Sequence, residues 1–246
     1  MDRNEDGDQD SSAAVLERLR RQLLQGADEK IRESGQRFFK EPVRMYGFKT
    51  VDVKRMAARY FREIKGRDKG EIFTLCEELL QSGYSEEAFI TFEWSYALRK
   101  QFVPEDFAVF ERWVDRYVDN WAKCDTLCNH TLGCFLEMYP RFTESLLGWA
   151  RAENRWLRRA AAVTLILPAR KGLFLKEVFQ ISDILLLDGD DMVQKGYGWM
   201  LKEASKAHQA EVFDYVMAHR AVMPRTALRY AIEKMPKEMK KEAMAK

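Results

Sequence analysis

Two short stretches hold the residue types from which a reactive site could be built. In DNWAKCDTLCNH, residues 119–130, Trp121 and Asp125 stand four apart. On a helix that spacing puts an indole and a carboxylate on one face, about a turn apart. In NRWLRRAAAV, residues 154–163, Arg155, Arg158 and Arg159 crowd the first turns of a second expected helix. Cations there oppose the helix dipole, which favours anions at an N-terminus. An anion outside the protein, faced by those arginines, would justify the placement. A carboxylate beside an indole can steady a developing positive charge, and clustered guanidiniums can grip an anion.

The elements that must position these residues read as helices throughout. Val15, Leu16, Leu19, Leu23 and Leu24 repeat at three- and four-residue spacing before a stop at Gly26. After breaks at Pro42 and Gly47, Thr50 caps a helix with the stripe Val53, Met56, Ala57, Tyr60, Phe61 and Ile64. Further helices are expected over 69–80, 85–100, 104–119, 119–136, 139–150, 154–167, 171–187, 191–207, 209–220, 224–233 and 237–245. Short connectors and no period-2 strand indicate an all-α fold. Helix pairs recurring about every 35–45 residues indicate a HEAT-like helical-repeat solenoid, with a compact bundle as the alternative. The expected organisation is an acidic disordered segment over 1–12, then one domain over 13–246.

Charge and composition narrow the classes. Residues 1–12 hold five acids and one base, so a net +2 for the whole chain leaves +6 on the remainder. The stretch 220–246 has eight bases against three acids, a balance compatible with nucleic acid. No apolar run approaches the roughly 20 residues of a membrane span. The acidic N-terminus is the reverse of a secretory signal, and a cytoplasmic protein is expected.

Cys124, Cys128, His130 and Cys134 invite a metal reading. On one helix, however, Cys128 and His130 point about 200° apart, and no CxxC pair occurs. No metal is expected, and Cys124 and Cys128 fit a core stripe. Phosphate-binding glycine loops and a GxSxG elbow are also missing. His208 and His219 read as solvated surface residues. Of the six tryptophans, Trp199 stands out, because Gly196 and Gly198 precede it inside an expected helix. Each glycine there costs around 1 kcal/mol against alanine. Close approach of another helix or of a ligand would justify them.

NWAKCD, WLRRAAAV, QKGYGWMLKEASK and MPRTALRYAIEKMP, in that order and preceded by YGFKTVDVKRMA, resemble the AlkD family of DNA alkylation-repair glycosylases. The resemblance spans roughly residues 38–236, and the ordered set is more specific than any single motif. It implies HEAT-like repeats around a concave basic cleft. It also implies action on double-stranded DNA containing N3- or N7-alkylated purines, without metal or cofactor; separately, a monomer is expected. Carried over residue by residue, it makes Trp121, Asp125 and Trp199 the catalytic group. Arg159, with Arg158 beside it, becomes a contact to the DNA backbone. A tyrosine of the family falls near Phe38, which lacks the hydroxyl; Phe38 is expected to stand at that DNA contact, and Tyr46 lies eight residues further on. Two further classes share these features: a DNA-binding relative without excision activity, and a HEAT-type protein-interaction scaffold.

Overall fold

Every regular element among the described residues, 12–245 of the computed structural model, is helical. The expected acidic segment lies outside these residues, except for Ser12, where the first helix begins. The chain packs as two units, divided after Phe102. No helix among the described residues is long and apolar enough to cross a membrane.

The first unit contains α1 (Ser12–Gln25), α2 (Glu29–Gln36), α3 (Thr50–Ile64), α4 (Lys69–Leu80) and α5 (Ser85–Ala97). Val15, Leu16, Leu19 and Leu23 of α1 are buried where it meets α3 and α4. Leu24, expected in the same stripe, is 64% exposed. It lies about 100° around the helix from Leu23, so only one of the two can face the core. The α3 stripe is buried as expected, apart from a half-buried Phe61.

The entry to α3 differs from the expected Thr50 cap. Lys49 occupies the cap position and makes no side-chain cap bond. The approach is held from α5 instead, where buried Glu86 accepts the backbone N–H groups of Tyr46, Gly47 and Phe48 at 3.1, 2.8 and 3.2 Å. Gly47 has φ +100°, and a Cβ there would lie 2.1 Å from the Asp28 carbonyl oxygen, so only glycine fits. Asp28 itself caps α2 by accepting the Ile31 N–H at 3.0 Å. Tyr46 is committed to packing: its hydroxyl donates to Glu87 at 2.7 Å and its ring stacks on Tyr84.

The second unit holds α6 (Asp106–Tyr117), α7 (Trp121–Thr126), a π-helical segment (Leu127–Leu132), α8 (Gly133–Met138), α9 (Thr143–Trp149), α10 (Arg155–Val163), α11 (Ile166–Arg170), α12 (Leu175–Leu185), α13 (Asp191–Ala204), α14 (Gln209–His219), α15 (Arg225–Ala231) and α16 (Lys237–Met244). The helix expected over 154–167 stops at Val163, and α11 follows as a separate turn. Phe107, Phe110, Phe135, Phe142 and Trp149 form an aromatic core beneath α6 and α8, with ring centroids 4.6–5.9 Å apart. Cys76, Cys124 and Cys128 are buried free thiols, and Cys134 is half-buried. His208 and His219 are half-buried rather than solvated, and one ring nitrogen of each meets a backbone carbonyl, His208 Nε2 that of Gly172 and His219 Nδ1 that of Tyr215.

Helix α13 is the hub of this unit, with α10, α11, α12 and α15 packed on it. Gly198 explains the closest of these approaches. A Cβ at that position would sit 2.7 Å from the Ala227 carbonyl oxygen, 2.7 Å from Tyr230 Cβ and 3.1 Å from Ala227 Cα. Two of those atoms are backbone of α15 and cannot swing away. Overpacking of this kind costs about 1–3 kcal/mol, more than the roughly 1 kcal/mol of helix propensity that alanine returns. Gly198→Ala is therefore expected to lower the melting temperature by several degrees, on the scale of about 2–4 °C per kcal/mol. Gly148→Ala in α9, where a Cβ meets nothing within 4 Å, is the control and is expected to hold or raise it. Calorimetry of the two variants checks the contrast.

Candidate active site

The site is built on three helices of the second unit. Asn120 starts the first by accepting the Lys123 N–H at 3.0 Å, an N-cap that fixes the register of the turn after it. Trp121 and Asp125 then lie four apart on the half-exposed side of α7, while Lys123 and Cys124 turn inward. Buried Lys123 is paired with Asp119 at 2.9 Å. Burial pushes the Cys124 thiol well above its ordinary range, so it is an inert core group and not a nucleophile.

The second helix, α10, supplies Arg159, and its guanidinium grips Asp125 with two parallel bonds. Nε donates to Oδ1 at 2.9 Å and Nη2 to Oδ2 at 2.9 Å. This is the fork geometry that arginine alone offers a carboxylate. Nη1 donates to the Met192 carbonyl oxygen, at the start of the third helix, α13. The Arg159 side chain is 6% exposed and that of Asp125 16%, so the pair is nearly sealed, with its carboxylate end nearer solvent.

Burial pushes the Asp125 carboxyl above the ordinary carboxylate range, against the opposing pull of Arg159. For Arg159, burial works against the charge, but the Asp125 carboxylate more than offsets it and holds the proton firmly. Two N–H groups arriving side-on are matched by the ionised carboxylate, so the pair is read as charged. The elevated carboxyl marks the cost of keeping it so.

Gly196 makes the close approach possible. A Cβ there would lie 3.3 Å from Arg159 Cγ and 3.6 Å from its Nη1. Trp199 is one turn further along α13 on the same side and is half-buried. The two glycines that looked costly in sequence thus serve separate contacts: Gly196 admits Arg159, and Gly198 admits α15.

The other arginines of α10 have partners inside the protein. Arg158 pairs with Asp188 at 2.6 Å and also donates to the carbonyls of Ala152 and Glu153. Arg155 pairs with Asp190 at 3.1 Å and lies over the Trp156 ring. Asp190 in turn caps α13 by accepting the N–H groups of Met192 and Val193. The anions expected outside the protein are therefore supplied from within it, by Asp190 and Asp188 before α13 for Arg155 and Arg158 and by Asp125 of α7 for Arg159. Arg158 and Arg159, expected to reach outward to a DNA phosphate, are instead committed to carboxylates and carbonyls of this chain.

The structure thus brings together Asp125 and Arg159, with Trp121 on the carboxylate's own face and Trp199 on the helix that Arg159 touches. Phe38 belongs to the first unit, where it is 74% exposed. Among the described residues no cluster of His, Cys, Asp or Glu is placed to hold a metal ion. The acidic loop at 188–191 escaped sequence reasoning, although three acids in four residues before a helix rich in site residues was a visible signal.

Comparison with known proteins agrees with this architecture. The solved structure of a predicted DNA alkylation repair enzyme from Enterococcus faecalis superposes with a TM-score of 0.77. It covers 85% of this chain and 97% of that one at 16% identity, which establishes the helical-repeat fold. No curated protein matches the sequence. A family model described as DNA alkylation repair enzyme matches residues 19–235. The chain belongs to the DNA alkylation repair enzyme family.

Proposed function

We propose that this protein is a DNA glycosylase that releases cationic N3- or N7-alkylated purines from duplex DNA. The observation that carries the reading is a carboxylate held by two guanidinium bonds at 2.9 Å yet still 16% exposed, on the same helix face as an indole. An alkylated purine of this kind is already positive and leaves as a neutral base, so no general acid is required. The demand falls on the sugar, which becomes oxocarbenium-like as the bond breaks. Asp125 stabilises that charge from a fixed position and takes up a proton from the attacking water. The faces of Trp121 and Trp199 add cation–π stabilisation of about 0.5–2 kcal/mol each. Arg159 acts through Asp125 by fixing its orientation, and exposed Phe38 offers the duplex an apolar face.

Asp125→Asn is expected to slow single-turnover release of N7-methylguanine by about 100- to 1000-fold, the scale of losing one preorganised electrostatic group. Release at the wild-type rate by the folded variant removes the assignment. Arg159→Lys keeps the charge but not the fork and is expected to slow release by about 10- to 100-fold, on the scale of one or two charge-assisted hydrogen bonds. An unchanged rate means that orientation of the carboxylate is not limiting.

The pH dependence has a definite sign. The folded protein holds the Asp125 proton more tightly than a free aspartate with its ordinary value of 3.8. Ionisation at neutral pH therefore costs stability, which returns as the pH falls through the elevated range. Activity goes the opposite way, because only the carboxylate serves the sugar. The acid limb of the rate profile is expected above 3.8, and a limb at or below that value contradicts the elevated carboxyl.

A further inference from the structure

The arginines of α10 are held by carboxylates of this chain, so a duplex at this site needs another cation for its phosphates. Helix α13 carries one. Gly196 presses on Arg159 and Gly198 on α15, which fixes two directions around the helix. At about 100° per residue, Val193, Tyr197, Met200 and Leu201 fall in one arc between those directions, and all four are buried. The other arc holds Asp191, Met192, Lys195, Trp199 and Lys202, all half-buried. That arc is the open face of α13, with Arg159 along one border and α15 along the other.

Of the two cations on this face, Lys202 is fixed. Its side chain is 12% exposed, and its ammonium pairs with Glu233 at 2.9 Å and lies 5.5 Å from the centre of the Tyr230 ring. Lys195 is held differently. Its ammonium meets Asp191 at 2.7 Å, four residues back on the same helix, with the two side chains 30% and 40% exposed. Exposed pairs at this spacing are among the weakest ion pairs in proteins. Asp191 is favoured as an anion without its lysine, because it stands in the first turn of α13, where the helix dipole is positive. Lys195 can therefore change partner at small cost. It stands about 40° around α13 from Trp199 and about 6 Å before it along the axis. A sugar met by the Trp199 indole is bonded to a phosphate on each side, which brings a phosphate within reach of the flexible lysine stem.

We propose that Lys195 is the phosphate contact of this site: on binding, its ammonium leaves Asp191 and pairs with a backbone phosphate beside the lesion. The proposal rests on the glycosylase reading only in placing the sugar at Trp199. The role that the sequence suggested for Arg158 and Arg159 passes to a lysine of α13, and Asp191 parks that lysine while the site is empty. A compact point charge suits a backbone contact, which positions the duplex without reading its bases.

The test measures affinity for a duplex with an abasic-site analogue across a series of salt concentrations. Wild type is compared with Lys195→Gln, Lys195→Arg, Asp191→Asn and Lys171→Gln. Lys195→Gln is expected to weaken binding about 3- to 10-fold near 0.1 M salt and to lower the slope of log affinity against log salt by about 1. Lys195→Arg keeps the charge and is expected to keep the slope. Asp191→Asn releases the ammonium beforehand, removes an anion from the face and is expected to tighten binding about 2- to 5-fold, the scale of one exposed ion pair and the repulsion lost with it. Lys171→Gln removes the same charge from an exposed pair with Glu137 and is expected to leave the slope where it was.

An unmoved slope in Lys195→Gln overturns the proposal, as does an equal drop in Lys171→Gln. Weaker binding by Asp191→Asn also overturns it, because the ion pair then serves the helix and not the duplex. Purine release from a duplex containing N7-methylguanine is followed alongside. A slope that depends on Lys195 in a chain that releases no purine supports the contact and sinks the glycosylase reading alone. A wild-type chain without salt-sensitive duplex binding sinks both.

Discussion

The second unit turns on one buried ion pair, Arg159 with Asp125. Taking two charges out of water costs several kcal/mol each, and mutual attraction rarely repays more than that. An apolar pair of the same volume would serve the fold as well or better. Here the cost is visible, since burial lifts the Asp125 carboxyl even with a guanidinium against it. Such an arrangement makes little sense as a stabilising device. It makes sense as a way to keep a carboxylate charged, unhydrated on one side and fixed in direction, with its other side 16% open.

The pair is held in place by the contacts around it. Three arginines on one turn and a half of α10 reach the approach to α13 at Asp190, Asp188 and the Met192 carbonyl. The same loop closes on itself, since Asp188 accepts the Asp190 N–H and Asp190 caps α13. Two helix N-termini are thus tied by one short acidic loop, and the dipole conflict of arginines at the start of α10 is resolved by carboxylates. Gly196 completes the fit by leaving room for the Arg159 stem. The guanidinium itself is fixed by Asp125, the Met192 carbonyl and the space at Gly196.

Much of this was legible in the sequence, and what was not has physical causes. Amphipathic stripes identified α1, α3 and most later helices, because core burial follows the helical period. They over-counted at Leu24 and Phe61, where adjacent or edge positions share the pattern but not the interior. The pairing of Trp121 with Asp125 follows from spacing alone. The partner of Arg159 does not, because it lies 34 residues away and sequence holds no record of which carboxylate a cation meets. The π segment left a readable trace. Cys124, Cys128, Leu132 and Leu136 are all buried at a strict spacing of four, whereas three such steps on a regular α-helix drift by about 120°. Only a locally wider turn keeps all four facing inward. Gly133 borders it, where a Cβ would lie 3.2 Å from the Thr164 carbonyl oxygen.

The electrostatics of the pair also bear on why a cation beside the carboxylate is compatible with the reaction proposed above. Arg159 is the deeper member at 6% exposure, and Asp125 the shallower at 16%. Together they are neutral overall but form a dipole with its negative end toward solvent. In the proposed reaction a sugar turning positive at that end would lie nearer the carboxylate than the guanidinium, so attraction would dominate. Because the dipole is set before substrate arrives, little reorganisation is required as charge develops. A lone carboxylate at the same depth would escape the cost of burial by taking up a proton. A fully exposed one would have to shed its water at the moment of reaction. Arg159 removes both alternatives, and for that reason the deeper member of the pair matters to the proposed site as much as the shallower one.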